Sequence, residues 1–193
     1  MNRLLIKNII IINEGISKSG DIYIEGEFIK KIGVDLKVDN EIKIIYGDGR
    51  IAIPGMIDDQ VHFREPGLTH KGDISSESKA AIAGGVTSYF EMPNTFPNTT
   101  SRKEFKKKIQ IASKNSFANF SFMFGGTNDN IDEIKKLDNK EVAGIKLFLG
   151  SSTGKMLIDN EDSIEKIFKS TSLPISAHCE DEQTIKDNTE YFK

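Results

Sequence analysis

The sequence predicts an α/β fold in two parts: an incomplete (β/α)8 TIM-type barrel of about five βα units over residues 51–193, preceded by a small β-rich domain over residues 1–50. Three observations predict it. The opening stretch is a series of short β-branched runs broken by Gly, Asn, Asp and Lys. From Ile51 onward, apolar strands alternate with amphipathic helices at the spacing of a βα unit. Polar residues able to do chemistry then stand at or just beyond the ends of successive strands. In a closed β/α barrel those ends form one face, where residues distant in sequence converge.

In the first part, "RLLIKNIIII", "DIYIEG", "EFIKKIG" and "EIKIIYG" read as strands of a small antiparallel sheet, with Glu25-Gly26 as a turn. In the second part the candidate strands are "IAIPGMID", "VTSYFEM", "ANFSFMFGG", "VAGIKLFLG" and "LPISAHCE", most of them apolar enough for a sheet covered on both faces. Gly84 and Gly85 end the first helix. Ser101 with Glu104 forms a capping box ahead of Phe105, Ile109 and Ala112. Asp129 or Asn130 caps a segment carrying Ile131, Ile134 and Leu137; Asp159 or Asn160 precedes a helix whose Ile164, Ile167 and Phe168 share a face. Five βα steps also suit an open doubly wound sheet. The polar strand ends (His62 and Arg64, Asn94, Gly125 and Gly126, Lys146, His178) favour the barrel. A barrel of eight strands takes about 250 residues, so roughly three strands are expected to be missing.

Composition narrows the ligand. A formal net charge of −3, with no basic stripe interleaved by aromatics, gives no reason to expect nucleic acid or an anionic membrane, and a small molecule is the expected partner. No segment is apolar for long enough to span a membrane. Lys7 and Asn8 split the apolar opening, which therefore reads as a strand and not as a secretory signal. The single cysteine, Cys179, cannot form an intrachain disulfide and reads as a buried, reduced thiol; a cytoplasmic location is the expectation.

The stretch "IDDQVHFREPG" holds the central question. Side chains at i and i+2 of a strand point to the same side, which is how a His-x-His pair offers two imidazoles to one metal. Gln60 and His62 keep that spacing, but Gln60 brings only a neutral amide oxygen, a weaker ligand for Zn²⁺ than imidazole. Arg64 carries a planar fork of donors suited to a carboxylate.

The run from Pro54 to Thr95, "PGMIDDQVHFREPGLTHKGDISSESKAAIAGGVTSYFEMPNT", resembles the signature of the dihydroorotases, cyclic amidohydrolases of pyrimidine biosynthesis. "GIKLFLGSSTG" and "ISAHCEDE" are similar to the same family's fourth and fifth strand ends. The resemblance implies a zinc-dependent hydrolase, with one or two ions, that interconverts dihydroorotate and N-carbamoyl-L-aspartate. It implies metal ligation by His62, Lys146 and His178, with Gln60 standing where a further His ligand belongs, and a hold on the substrate carboxylate by Arg64 and Asn94. Lys146 matches a lysine that many relatives carry as a carbamate; a desolvated neutral amine can capture CO₂ and become an anionic ligand. In the family a further His and a general-base Asp come from later strands, beyond Lys193, so no catalytic base is assigned here. Relatives of hydantoinase and allantoinase type are the neighbouring alternative. A non-catalytic scaffold or split-gene fragment is another, with a C-terminal fragment, a transcarbamoylase or a second copy as partner. The chain alone is expected to be unstable or oligomeric and without turnover.

Plainer readings stand beside these. A His at a strand end often serves as a hydrogen-bonded structural residue, Lys146 could reach solvent or a carboxylate, Asn94 suits a turn, and Arg64 with Glu65 could form a local ion pair. His70 reads as a surface residue or as support behind the site. "GSSTGKM" is not a phosphate loop: a Walker A motif needs four residues between its glycines and Ser or Thr after the Lys, whereas here there are three residues and then Met156.

Overall fold

A computed structural model describes residues 3–38, 42–150 and 156–193. Residue contacts divide it into two units, Met1–Gly55 and Met56–Lys193. The glycine-rich stretch 151–155 lies outside the described residues.

The first unit is a sheet in the order β3-β2-β1-β4, with β5 also on β1. Strands β1 (Arg3–Asn13), β2 (Ile16–Glu25) and β3 (Phe28–Gly33) form an antiparallel meander, as expected. The wholly antiparallel sheet expected from the sequence is corrected: β4 (Lys43–Tyr46) and β5 (Ile51–Ala52) run parallel to β1. Both dock on the free edge of β1, whose apolar face holds Leu5, Ile9 and Ile11 in the core. Asn8 interrupts β1 with a bulge at φ 54°, and its N–H donates to buried Asp21. Gly47 lies so close there that a Cβ would sit 2.6 Å from the Asn8 carbonyl oxygen.

The stretch "IAIPGMID" is thus two strands. Pro54 has no N–H to give a ladder, and after it β6 (Met56–Val61) pairs with β7 (Val86–Glu91) in the second unit. Then follow β8 (Asn119–Gly125), β9 (Gly144–Phe148) and β10 (Ile175–His178), all parallel. The order β10-β9-β8-β7-β6 is strictly sequential. A doubly wound sheet reverses its strand order at a switch point; this one does not, so the second unit is part of a β/α barrel.

Helices α1 (Ile74–Ala83), α2 (Arg102–Asn115), α3 (Ile131–Ile134), α4 (Glu161–Ser170) and α5 (Glu182–Tyr191) link and follow the strands. The core lies between sheet and helices, built from Phe63, Tyr89, Phe105, Phe122, Phe124, Ile145, Leu147 and Ile167. Strand alternation sends Ile145 and Leu147 into it and turns Lys146 to the other face. Asn160 caps α4 as expected, accepting from the Ser163 N–H. Ser101 caps α2, but the reciprocal half of the box does not form because the Glu104 side chain turns to Lys107. The reciprocal box is found at Asp73 and Ser76 instead. Asn130 stands at the start of α3 without capping it; its amide ties the Thr100 and Gly125 carbonyls together, and α3 ends before Leu137. Phe168 is exposed while Ile167 is buried, so the helix face is narrower than its spacing suggested.

Candidate active site

The ends of β6 and β7 bring four sequence-predicted residues into one neighbourhood. His62 lies just past β6, and its Nδ1 is 2.9 Å from Asn94 Oδ1. An amide oxygen can only accept, so Nδ1 carries the proton and the Nε2 lone pair is left available, the form a metal or a proton donor would meet. Burial, then the positive charge of Arg64, hold the imidazole below its usual value of 6.5; the Asn94 bond opposes them, and Lys146 and Lys108 lower it further.

Arg64 takes a backbone φ of 72°, uncommon for a residue with a Cβ. Its N–H donates to Glu91 Oε1 at 3.0 Å. Its neighbour Glu65 does not form the local ion pair considered above; Oε2 accepts from the Ile74 N–H at the first turn of α1. Gly67 closes the turn at φ 86°, and a Cβ there would lie 1.9 Å from the Phe96 carbonyl oxygen. That close approach holds the "REPG" turn against the "PNTFP" loop and brings Arg64 towards Asn94's loop.

Lys146 shows how far the sheet curls. β6 and β9 are separated by β7 and β8, so on a flat sheet their axes would stand about 14 Å apart. Yet Lys146 Nζ donates to Gln60 Oε1 at 3.3 Å. Lys146 is 2% exposed and reaches neither solvent nor a carboxylate; burial lowers its pKa from the usual lysine value, with Cys179 acting in the opposite direction. The residue that replaces the first imidazole of a His-x-His pair therefore serves as hydrogen-bond partner to the buried lysine.

His178 is placed differently. It ends β10, the outermost strand, with its side chain 44% exposed, its Nε2 3.2 Å from Glu180 Oε1 and its ring stacked near Phe148. Cys179, expected to be buried, is exposed just past the end of β10. A cavity of about 530 Å³ opens beside Cys179, Glu180, Ile158 and Ile164, and none of His62, Lys146 or His178 lines it. A smaller cleft of about 210 Å³ is lined by Gln60, Phe90, Met123 and Ser176.

Two residues at this site escaped the sequence reading. Glu91 ends β7 and Lys108 lies on α2; the two form an ion pair with side chains 1% and 0% exposed. Lys108 also donates to the Met92 carbonyl at 2.9 Å. Burial drives the Glu91 carboxyl up and the Lys108 ammonium down, and their mutual attraction opposes both shifts. A Glu amid "VTSYFEM" was the available signal: a charge in an apolar strand needs a partner.

The donor set does not complete a metal site. His62 offers one imidazole, the Gln60 oxygen is engaged by Lys146, and among the described residues no three His, Cys, Asp or Glu side chains gather as a metal-binding group. What the strand ends do assemble is a neutral imidazole and an amide beside two cationic side chains, Arg64 and Lys146, a setting suited to a carboxylate-bearing ligand.

Residues 49–190 match the Dihydro-orotase-like family, and the chain belongs to that family. It is 37% identical over 181 residues to a dihydroorotase of Methanosarcina mazei, covering 92% of this chain and 40% of that one. It is 32% identical over 187 residues to an allantoinase of Desulfitobacterium hafniense, covering 94% of this chain and 41% of the relative. The fold superposes on the L-hydantoinase of Arthrobacter aurescens with a TM-score of 0.92 and 26% identity, covering 99% of this chain and 44% of that structure. The chain thus spans about two fifths of the length of the curated relatives it matches.

Proposed function

We propose that this chain, a member of the dihydroorotase-like family and by family a cyclic amidohydrolase, supplies the carboxylate-holding side of a site that interconverts dihydroorotate and N-carbamoyl-L-aspartate in pyrimidine biosynthesis. The observation that carries the reading is the joined end of β6 and β7, where His62 is bonded to Asn94 and Arg64 is fixed by Glu91. Arg64 and Asn94 hold the acid group of the substrate, and a bidentate guanidinium orients it. His62, kept neutral with its proton on Nδ1, presents Nε2 towards the ring.

The family's chemistry uses a metal, and zinc, one or two ions, is the metal proposed. His62, Lys146 and His178 are the positions this chain would contribute to it, with Lys146 as a carbamate. Such a metal would supply Lewis-acid chemistry at the amide carbonyl. The residues described do not by themselves complete its ligand set. The substrate is a small molecule; a cytoplasmic setting and a partner chain, whether a second copy, a C-terminal fragment or a transcarbamoylase, belong to the same proposal. Among the described residues no helix is long and apolar enough to cross a membrane.

Hydantoin or allantoin opening is the second reading, favoured by the similarity to an allantoinase and to an L-hydantoinase structure. A scaffold role without catalysis is favoured by the Lys146–Gln60 bond, which occupies both side chains with each other. Ligand titration followed by NMR separates the three. Binding of N-carbamoyl-L-aspartate in preference to hydantoin or allantoin, weakened but still measurable in Arg64→Ala, supports the first reading. Preference for the neutral rings, insensitive to Arg64→Ala, supports the second, and no binding of any supports the third.

A further inference from the structure

We propose that the buried Glu91–Lys108 pair is a positioning device for Arg64 and, through Arg64, selects ligands that carry a carboxylate; the selection rests on the carboxylate-holding role just proposed for Arg64.

Arg64 holds a left-handed backbone conformation that a residue with a Cβ adopts only at a cost. Something must hold it there. Its N–H donates to Glu91 Oε1 at 3.0 Å, while Glu91 Oε2 faces Lys108. Lys108 is anchored in turn by the Met92 carbonyl at 2.9 Å and by the Phe122 ring, whose centre is 5.0 Å from Nζ. One carboxylate therefore joins α2 to the turn that carries Arg64.

Stability does not account for this arrangement. Two charges taken out of water regain little beyond their desolvation cost, and an apolar pair of the same volume commonly packs as well or better. What an apolar pair cannot do is accept the Arg64 N–H. Glu91 also lies only a few residues before Asn94 on the same chain segment. The strand end that presents Asn94 thus sets the backbone of Arg64 as well, and the two groups proposed to grip one acid group are registered to each other through a single side chain.

The test uses the 193-residue chain and two paired variants. Glu91→Met with Lys108→Met keeps the volume and removes the acceptor; Glu91→Gln with Lys108→Met is equally uncharged and restores an acceptor oxygen. Two readouts are taken by NMR: hydrogen exchange at the Arg64 amide, and titration with N-carbamoyl-L-aspartate and with hydantoin. We expect the Met/Met variant to fold, its Arg64 amide to exchange at least about tenfold faster, and its affinity for the acid to fall about tenfold with hydantoin unaffected, the scale of one lost hydrogen bond. The Gln/Met variant should recover both, and the Met/Met change should have no effect on acid binding in an Arg64→Ala background. An unchanged Arg64 amide in folded Met/Met protein, an equal loss in the Arg64→Ala background, or a Met/Met chain that cannot fold would each overturn the proposal. If the parent chain prefers neither ligand, the carboxylate role of Arg64 falls, while exchange at its amide still decides whether Glu91 positions it.

Discussion

The two ends of the inner strand row are held in opposite ways. At β6 and β7, His62, Asn94, Arg64, Glu91 and Lys108 are tied by bonds that cross between strand, turn and helix, and the pair beneath them is closed to water. At β10, the side chain of His178 meets Glu180 and the Phe148 ring among the described residues, both groups of the pair are half exposed, and Cys179 faces outward. Both regions carried site residues expected from the sequence. Both β6 and β10 stand at an edge of the described sheet; what differs is that α2 closes over the end of β7 through the Glu91–Lys108 pair, and Glu91 also holds the Arg64 turn after β6. A side chain is fixed when several elements must move together to release it, and the β10 end lacks that constraint.

Removing one charge from each region should break the comparison most sharply. Glu91→Ala leaves Lys108 buried without its partner and is expected to cost about 3–5 kcal/mol. Glu180→Ala, at a solvent-screened pair, should cost under about 0.5 kcal/mol. Chemical denaturation of the two variants side by side measures both, and similar losses would show that the regions are equally coupled.

The interior of the tied region should also show in alkaline titration. Burial pushes the Tyr89 hydroxyl up to about 12 despite its bond to Ser116, whereas in the unfolded chain it ionises near 10. Because the folded value is raised, this stabilisation is fully present below pH 10 and lost as pH rises from 10 to about 12. Tyr89→Phe should remove that part of the alkaline loss, read as a shallower fall in thermal midpoint across the window. An identical alkaline profile would argue that the hydroxyl ionises freely.

Gln60 sharpens the comparison from between the two ends. Replacing it by His would free Lys146 from its amide partner and place a second imidazole beside His62. Zinc occupancy after equilibration with the ion should be higher in Gln60→His than in the parent, by elemental analysis of the desalted proteins. Equal occupancy near two ions per chain in both would refute the idea that the amide weakens the site.

The smallest effect is expected at the open end. His178→Ala should change stability by less than about 0.5 kcal/mol, and the Cys179 thiol should react fully with a thiol reagent in the native protein. Protection of that thiol until the chain unfolds would mean that β10 is covered in solution.

Much of this was legible in the order of the residues. Strand-end polar residues identified the barrel face because alternation along a strand and the βα repeat are local patterns. Asn160 was legible as a cap because a cap acts on a group three residues away. Glu104 was misleading for the same locality: Lys107, one turn on, competed for its side chain. Ile51 and Ala52 read like the start of the barrel's first strand, yet they pair with β1, since β-branched residues suit any open strand edge. Cys179 read as buried because free cysteine is by type among the most buried residues, whereas it lies just past the end of β10 and is exposed.

By itself the sequence determined the family, the run of βα units, and which residues stand at strand ends, because these follow from motif, period and cap chemistry within a few residues. Only the tertiary structure decided which of those residues meet. Gln60 and Lys146 are brought together across two intervening strands by the curl of the sheet, and Glu91 finds Lys108 and Arg64 through the packing of a helix and a turn on β7. Those meetings depend on curvature and burial, which arise from all the strands together and are written in none of them singly.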